Sequence, residues 1–337
     1  MPGFRTGTVT ALRSERKGLQ RVEVDGEAAF VLTELIGPVA LGDRVVVNTT
    51  AVDLGLGSGG AHVVHWNLAR EMWHQRGPGH VLKLRYTSLQ ADTGVAEEAM
   101  GPAPATDLGG LPVVACDLHS QVACVALAFA AAAPGRRLVY VMTDAAALPL
   151  ALSDVVAELR GRGVLAATVS AGQAFGGDLE AVNVASGIDV ASRVAGAETV
   201  VVGPGPGVVG TRTRLGFGGL EVAGIVDVAA RLGAQPIVVV RWSDADPRAE
   251  HRGVSHHTRT CLELAAARSL VAVPAGRAWP GEPPPGAELR EVEVDAVDLG
   301  GVTTMGRGPE KDPGFFAWAA AAGTLAARLA AAPDAGH

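Results

Sequence analysis

Three stretches of the sequence combine residue types and spacings that could do chemistry. The first is the glycine-rich run Gly203-Pro-Gly205-Pro-Gly207-Val-Val-Gly210-Thr-Arg212-Thr-Arg214, which continues to Gly219. Unhindered backbone N–H groups, two arginines and a helix start at Gly219 suit a phosphate or a carboxylate. The same residues fit an extended hairpin over a sheet, with both arginines in solvent. The second stretch is His251-Arg252-Gly-Val-Ser255-His256-His257-Thr-Arg259. Ser255 is a good N-cap, which puts His256, His257 and Arg259 in the first turn of a helix and Arg252 just outside it. Cations there oppose the helix macrodipole by a few tenths to about 1 kcal/mol each. A bound anion removes that conflict, and so do carboxylates such as Asp244, Asp246 and Glu250. Successive helical residues point about 100° apart. His256 and His257 are therefore not expected to chelate one metal, and at most one imidazole should reach a site, as general acid/base or ligand. No metal is assigned.

Asp117, His119 and Asp144 form the third group. Brought together, they would hold a divalent metal or act as an acid/base pair. Otherwise Asp117 and Asp144 cap helices and His119 bonds locally. On the catalytic reading, Asp117, His119, Asp144 and His256 do the acid/base work. The ligand is then held by Gly203, Gly205, Gly207, Gly210, Arg212, Arg214, Arg252, Ser255 and His257.

Familiar signatures are absent or poor. Gly205-Pro-Gly207-Val-Val-Gly210 has the dinucleotide spacing, but Thr211 to Gly219 is β-branched and glycine-broken where a helix should begin. No acidic residue closes the next strand. No Gly-Lys-Ser/Thr and no Gly-x-Ser-x-Gly occurs, and no cofactor is assigned. Cys116, Cys124 and Cys261 have neither metal nor redox spacing; Cys116 and Cys124, in apolar segments, read as small core residues. The formal charge of −7 argues against a general nucleic-acid binder. No apolar run reaches the roughly 18 residues that would span a bilayer. The N-terminus has no signal pattern, so no membrane partner and a cytoplasmic location are expected. Homo-oligomer formation stays open.

From Leu111 onward, short apolar runs alternate with helix-length segments. Strands are expected at Pro112–Cys116, Leu138–Met142, Val164–Val169, Thr199–Val202, Pro236–Val240 and Leu270–Val273. Helices are expected near 119–132, 151–161, 184–195, 219–232 and 256–268. This rhythm predicts a doubly wound, mostly parallel, Rossmann-like α/β sheet with helices on both faces. The helix-to-strand turns are short, whereas most strand-to-helix connections are long and polar. In a parallel sheet those connections gather at the carboxyl ends of the strands, where ligands bind. Glu291 to Leu299 alternates like an edge strand, and Phe315 to Leu329 reads as a closing helix.

Residues 1–88 read as a small N-terminal β-barrel domain. Thr6 to Leu12, Gln20 to Val24, Ala28 to Leu32 and Arg44 to Asn48 read as strands, and Asp25-Gly26 signals a two-residue hairpin. The loop carrying Gly55, Gly57, Gly59 and Gly60 could wrap an anion or simply join two strands. His62 and His65 are three apart, so on a strand they point to opposite faces. Residues 89–110, with Gly101-Pro-Ala-Pro104, read as a linker, and 111–335 as the α/β domain.

At Gly203-Pro-Gly-Pro-Gly207, Trp242-Ser-Asp-Ala-Asp-Pro-Arg248, Gly253-Val-Ser-His-His-Thr258 and Thr49-Thr-Ala-Val-Asp-Leu-Gly-Leu-Gly57, the chain resembles a bacterial family catalogued as a domain of unknown function. The resemblance runs over nearly the whole chain. It implies one full-length architecture and supplies no activity or site residue. The residues themselves point to a small anionic ligand, phosphorylated ligands included, at the carboxyl edge of the sheet. An enzyme built this way would be a transferase or hydrolase. The competing class is a non-catalytic binding or scaffold protein whose glycine loops form a domain or subunit interface.

Overall fold

The computed structural model describes residues 2–56, 60–101 and 107–331. Gly57 and Gly59 of the first glycine loop, and residues 102–106 of the expected linker, lie outside the described residues. The chain divides into two compact units, Met1–Gly94 and Val95–His337.

In the first unit β1 (Phe4–Arg16), β2 (Leu19–Val24), β3 (Glu27–Leu32), β4 (Arg44–Asn48) and β5 (His62–Asn67) close a barrel in the order β1-β2-β3-β5-β4. Asp25 and Gly26 both take positive φ, 52° and 85°, the backbone that a two-residue hairpin requires. Alternate residues, among them Val9, Val22, Val24, Val31, Val45, Val47 and Val64, fill the interior. His62 Nε2 lies 3.1 Å from Glu27 Oε2, while the His65 ring packs edge-on against Phe4.

The second unit is an all-parallel sheet of eight strands. They are β6 (Pro112–Ala115), β7 (Leu138–Thr143), β8 (Ala167–Ala171), β9 (Leu179–Ala181), β10 (Thr199–Pro204), β11 (Gln235–Val238), β12 (Ser269–Pro274) and β13 (Ala287–Val292). Their spatial order is β9-β8-β7-β10-β6-β11-β12-β13. Helices α1 (His119–Ala132), α2 (Asp154–Gly161) and α6 (Pro313–Ala331) cover one face, and α3 (Val184–Arg193), α4 (Val222–Arg231) and α5 (His256–Leu264) the other. The central strands are largely apolar because both faces are buried, whereas the edge strand β13 carries exposed Glu288, Arg290 and Glu291. Val114, Cys116, Tyr140 and Met142 point into one core, and Val113, Ala115, Val139 and Val141 into the other.

Several expectations change. β9 lies just past the stretch read as a plain strand-to-helix loop, where three residues pair in parallel with β8. The edge strand is Ala287–Val292, paired with β12, and starts four residues earlier than the alternation at Glu291 suggested. The closing helix α6 has 19 residues and is long and apolar enough to cross a membrane by length and composition, although Arg328 interrupts its apolar run. It is mostly buried, lying along α1. The two backbones come so close that a Cβ on Gly323 would stand 2.2 Å from the Val125 carbonyl oxygen. Residues 95–100, placed in the expected linker, dock on the sheet unit: the Ala96 N–H donates to the Glu180 carbonyl at 2.8 Å.

This strand order creates a topological switch point. The crossover from β6 to β7 passes β10 on the α1 face, and the crossover from β10 to β11 passes β6 on the α4 face. The two connections part company at the carboxyl ends of β10 and β6, the kind of switch point where open parallel sheets bind ligands.

Candidate functional site

The glycine-rich connection after β10 is a hairpin. Gly210 and Phe217 form an antiparallel bridge, and the Gly218 N–H donates to the Val209 carbonyl at 2.9 Å. Its glycines answer to packing and turn geometry. A Cβ on Gly203 would stand 2.9 Å from Cys116 Cβ, one on Gly205 would stand 2.6 Å from the Ala147 carbonyl oxygen, and Gly207 has a φ of +86°. Arg212 Nε donates to Glu250 Oε1 at 3.2 Å and Arg214 Nη2 to Glu263 Oε2 at 2.6 Å. Both arginines project into solvent, the Arg212 side chain 84% exposed, with their charge already met by carboxylates. The hairpin alternative accounts for this loop better than an anion cradle does.

The third group does not converge. Asp117 is not a helix cap, because Gln121 Oε1 takes that role and accepts from the Asp117 and Leu118 N–H groups at 2.9 and 3.1 Å. The Asp117 side chain is instead 2% exposed, with neither carboxylate oxygen hydrogen-bonded. Burial raises its pKa to about 6 against the pull of nearby Arg241. The Asp144 carboxylate accepts from the Gln173 N–H at 2.9 Å and so ties two loops together rather than capping a helix. His119 is engaged at both ring nitrogens: Nδ1 donates to the Pro204 carbonyl at 3.0 Å, and Nε2 accepts from Ser153 Oγ at 2.7 Å. Ser153 in turn caps α2. His119 thus pins β10 to α2 over a long range, and burial lowers its pKa to about 4.

A carboxyl that the sequence reading passed over joins Asp117. Glu221 accepts from Thr143 Oγ1 at 2.5 Å, and burial, with Asp144 adding to it, raises its pKa to about 7. Cys261 feels both acids, and burial together with Asp117 and Glu221 pushes its thiol far up. Two carboxyls displaced toward neutrality at one sheet edge are candidates for proton transfer. Glu221 gave no signal of its own, because an acid beside Gly219 and Leu220 reads as the exposed start of a helix.

The connection after β11 holds the densest arrangement. Trp242 stacks on Trp318 with ring centroids 5.0 Å apart. Ser243 Oγ donates to Asp312 Oδ2 at 2.6 Å, and Asp244 Oδ2 accepts from the Gly314 N–H at 2.6 Å, capping α6 from outside. Burial works to raise the Asp246 pKa, yet hydrogen bonds from Arg248 hold it well below the usual carboxylate range. Arg248 Nε and Nη2 reach its two oxygens at 3.0 and 2.9 Å. Arg307 and Arg241 stand further off, at 3.6 and 4.0 Å. Arg252 Nε donates to the Asp246 carbonyl at 2.9 Å and braces the turn.

That turn brings three imidazoles together. Ring centroids lie 5.0 Å apart for His251 and His256, 4.9 Å for His251 and His257, and 4.0 Å for His256 and His257. One ring nitrogen of each lies within 4.8 Å of the others, and no other such group of three occurs among the described residues. The expectation that at most one imidazole reaches the site is therefore corrected. The 100° offset between neighbours does not part these rings, because the long side chains of the first turn fold together over the loop that precedes it. Ser255 Oγ accepts from the His257 N–H at 3.2 Å as N-cap and lies 2.8 Å from His251 Nδ1. His257 Nδ1 lies 3.3 Å from Arg241 Nη1. A guanidinium can only donate, so this Nδ1 accepts and the ring proton sits on Nε2. The Nε2 atoms of His256 and His257 are buried without hydrogen-bond partners. Burial lowers all three pKa values, with Arg241 and Arg248 adding to it and Glu250 opposing it at His256, to about 4 for His251 and about 3 for His257.

Of the expected residues, the structure gathers Gly210, Ser255, His256 and His257 in one place, with Arg252 bracing the turn behind them. Arg212 and Arg214 stand in solvent on carboxylates, and Gly203, Gly205, His119 and Asp144 serve the frame. Sequence reasoning missed Arg241, Phe217 and Glu221, and left His251 without a role. An arginine directly after the apolar run Pro236–Val240 was the available hint for Arg241.

No curated protein and no solved structure matches the chain. A family model described as "Protein of unknown function (DUF3866)" matches residues 28–282. That match runs from β3 through β12 and takes in Asp117, Arg241 and all three histidines. It covers most of the chain, and this protein therefore belongs to the DUF3866 family.

Proposed function

We propose that the carboxyl edge of the parallel sheet binds a small anionic ligand and that Arg241 is the cation that receives it. The carrying observation is the state of this guanidinium. Arg241 is 7% exposed, and the Asp246 carboxylate, 4.0 Å away, is already taken on both oxygens by Arg248. Asp117 is the strongest charge acting on this guanidinium, but neither of its oxygens is hydrogen-bonded. A buried guanidinium that no carboxylate meets directly is costly, and a ligand oxyanion would relieve that cost. The N–H on His257 Nε2, the Nε2 of His256 and the N-terminus of α5 add donors and positive potential on the same side. Asp117 and Glu221 supply the acid/base chemistry that a transferase or hydrolase would need beside the bound anion. A non-catalytic binding role has one observation in its favour: His119 and Asp144, two of the expected acid/base groups, are engaged in holding loops together.

Thermal-shift titration with sulfate, inorganic phosphate, nucleotides and sugar phosphates tests the reading. Ligand at about 100 times its Kd should add about 2.7 kcal/mol of stability. That gain should disappear in Arg241→Gln. No shift with any oxyanion, or a shift retained in Arg241→Gln, overturns the proposal. Turnover of a stabilising phosphate ester, lost in Asp117→Asn or Glu221→Gln, separates the enzyme from the binding module.

A further inference from the structure

We infer that His251, His256 and His257 form a site for one divalent transition metal ion of the zinc class. The inference goes beyond the anion reading, although it uses the same edge of the sheet. Three imidazole nitrogens bound to zinc at about 2.0–2.1 Å stand roughly 3.3 Å from one another. The nitrogens of the three rings already lie within 4.8 Å of one another, about 1.5 Å from that spacing.

Each ring has one nitrogen to offer. His251 Nδ1 is held by Ser255 Oγ, and His257 Nδ1 faces Arg241, which leaves Nε2 on both. His256 Nε2 is buried and has no partner, as is His257 Nε2, on a side chain 3% exposed. Buried polar atoms without partners call for an explanation such as an ion. Ser255 supplies the hydrogen bond behind a ligand that metal-bound histidines almost always have. Phe217, stacked flat on His257, fixes the plane of a second ring. A set of three imidazoles without oxygen donors suits zinc, copper, iron or nickel rather than magnesium or calcium. Three protein ligands leave a fourth position open, as in catalytic rather than structural zinc sites.

Arg241 couples this site to the anion. Its 3.3 Å contact keeps a proton on His257 Nε2. Coordination through Nε2 requires the single ring proton to move to Nδ1 by exchange with solvent, so the contact with the guanidinium opens. Arg241 is then free to meet an anion at the open position. The surrounding guanidiniums disfavour a bare cation, and such an anion offsets them.

The test uses the full chain without a histidine tag, stripped with chelator and titrated with Zn²⁺ by calorimetry and with Co²⁺ by visible absorption. One ion per chain and the visible bands of tetrahedral cobalt are expected. His256→Gln, at a half-buried position, should weaken Zn²⁺ binding by on the order of 100-fold or more. Ser255→Ala keeps all three rings and should weaken it by roughly 10-fold. Circular dichroism confirms that each variant is folded. Arg241→Gln should bind Zn²⁺ at least as tightly as the parent while losing stabilisation by oxyanions, so the metal and anion readings can fail separately. Absence of stoichiometric binding by either ion, or binding undiminished in both His256→Gln and Ser255→Ala, overturns the site.

Discussion

The ring of Phe217 lies flat on that of His257, with centroids 3.8 Å apart and planes inclined by 8°. This stack is where the glycine hairpin after β10 meets the histidine turn after β11. Arg212 to Glu250 and Arg214 to Glu263 fasten the same two segments at the rim. Two connections that leave their strands on either side of β6 are thereby joined over its carboxyl end.

Removing the stack should cost more than removing the rim. Phe217, 8% exposed, fills the space between the hairpin and α5, so Phe217→Ala is expected to destabilise the protein by about 3 kcal/mol. Urea denaturation measures this. A loss below about 1 kcal/mol would mean that the hairpin is not anchored through this ring.

The double variant Arg212→Ala, Arg214→Ala should leave the melting temperature and any oxyanion stabilisation almost unchanged. Exposed ion pairs contribute little to stability, and the buried Arg241 is the proposed receptor. A lost ligand response in this variant would return the site to the hairpin tip.

Asp117 predicts a pH dependence with a definite sign. Its folded pKa, about 6, lies above the ordinary 3.8, so the folded protein holds this proton more tightly than the unfolded chain does. The stabilising contribution is complete below pH 3.8 and is lost as the pH rises through about 6. At about 1.4 kcal/mol for each tenfold change in affinity, the difference amounts to about 3 kcal/mol. Asp117→Asn should therefore be more stable than the parent at pH 8, with the gap closing below pH 4. Urea midpoints measured across that range check it.

His119 runs the other way. Its folded pKa of about 4 lies below the ordinary 6.5, so the unfolded chain takes up the proton first. The stabilising contribution is present above pH 6.5 and is lost as the pH falls toward 4. His119→Gln should flatten the acid limb of stability against pH. It should also cost about 2 kcal/mol at pH 7, because two buried partners, the Pro204 carbonyl and Ser153 Oγ, lose a matched ring.

Much of the frame was legible in the residues. A parallel strand buried on both faces needs an unbroken apolar run, and Leu138–Thr143 and Thr199–Pro204 supply one. Ser255 and Asp25-Gly26 act locally, through a cap and a turn, and local hydrogen bonding can be read from neighbours in sequence. β9 has three residues and was too short to show a pattern of its own.

The site was legible only in part, because its charges are settled over long distances. The sequence by itself determined that polar connections collect at the carboxyl edge and that Ser255 starts a helix carrying two histidines. Tertiary structure alone decided that Arg212 and Arg214 are met by Glu250 and Glu263, 38 and 49 residues further on. It also decided that His251 folds back onto its neighbours and that Arg241 is buried behind them. Pairing and burial set the electrostatics of a charged residue, and both depend on which segments the fold lays side by side.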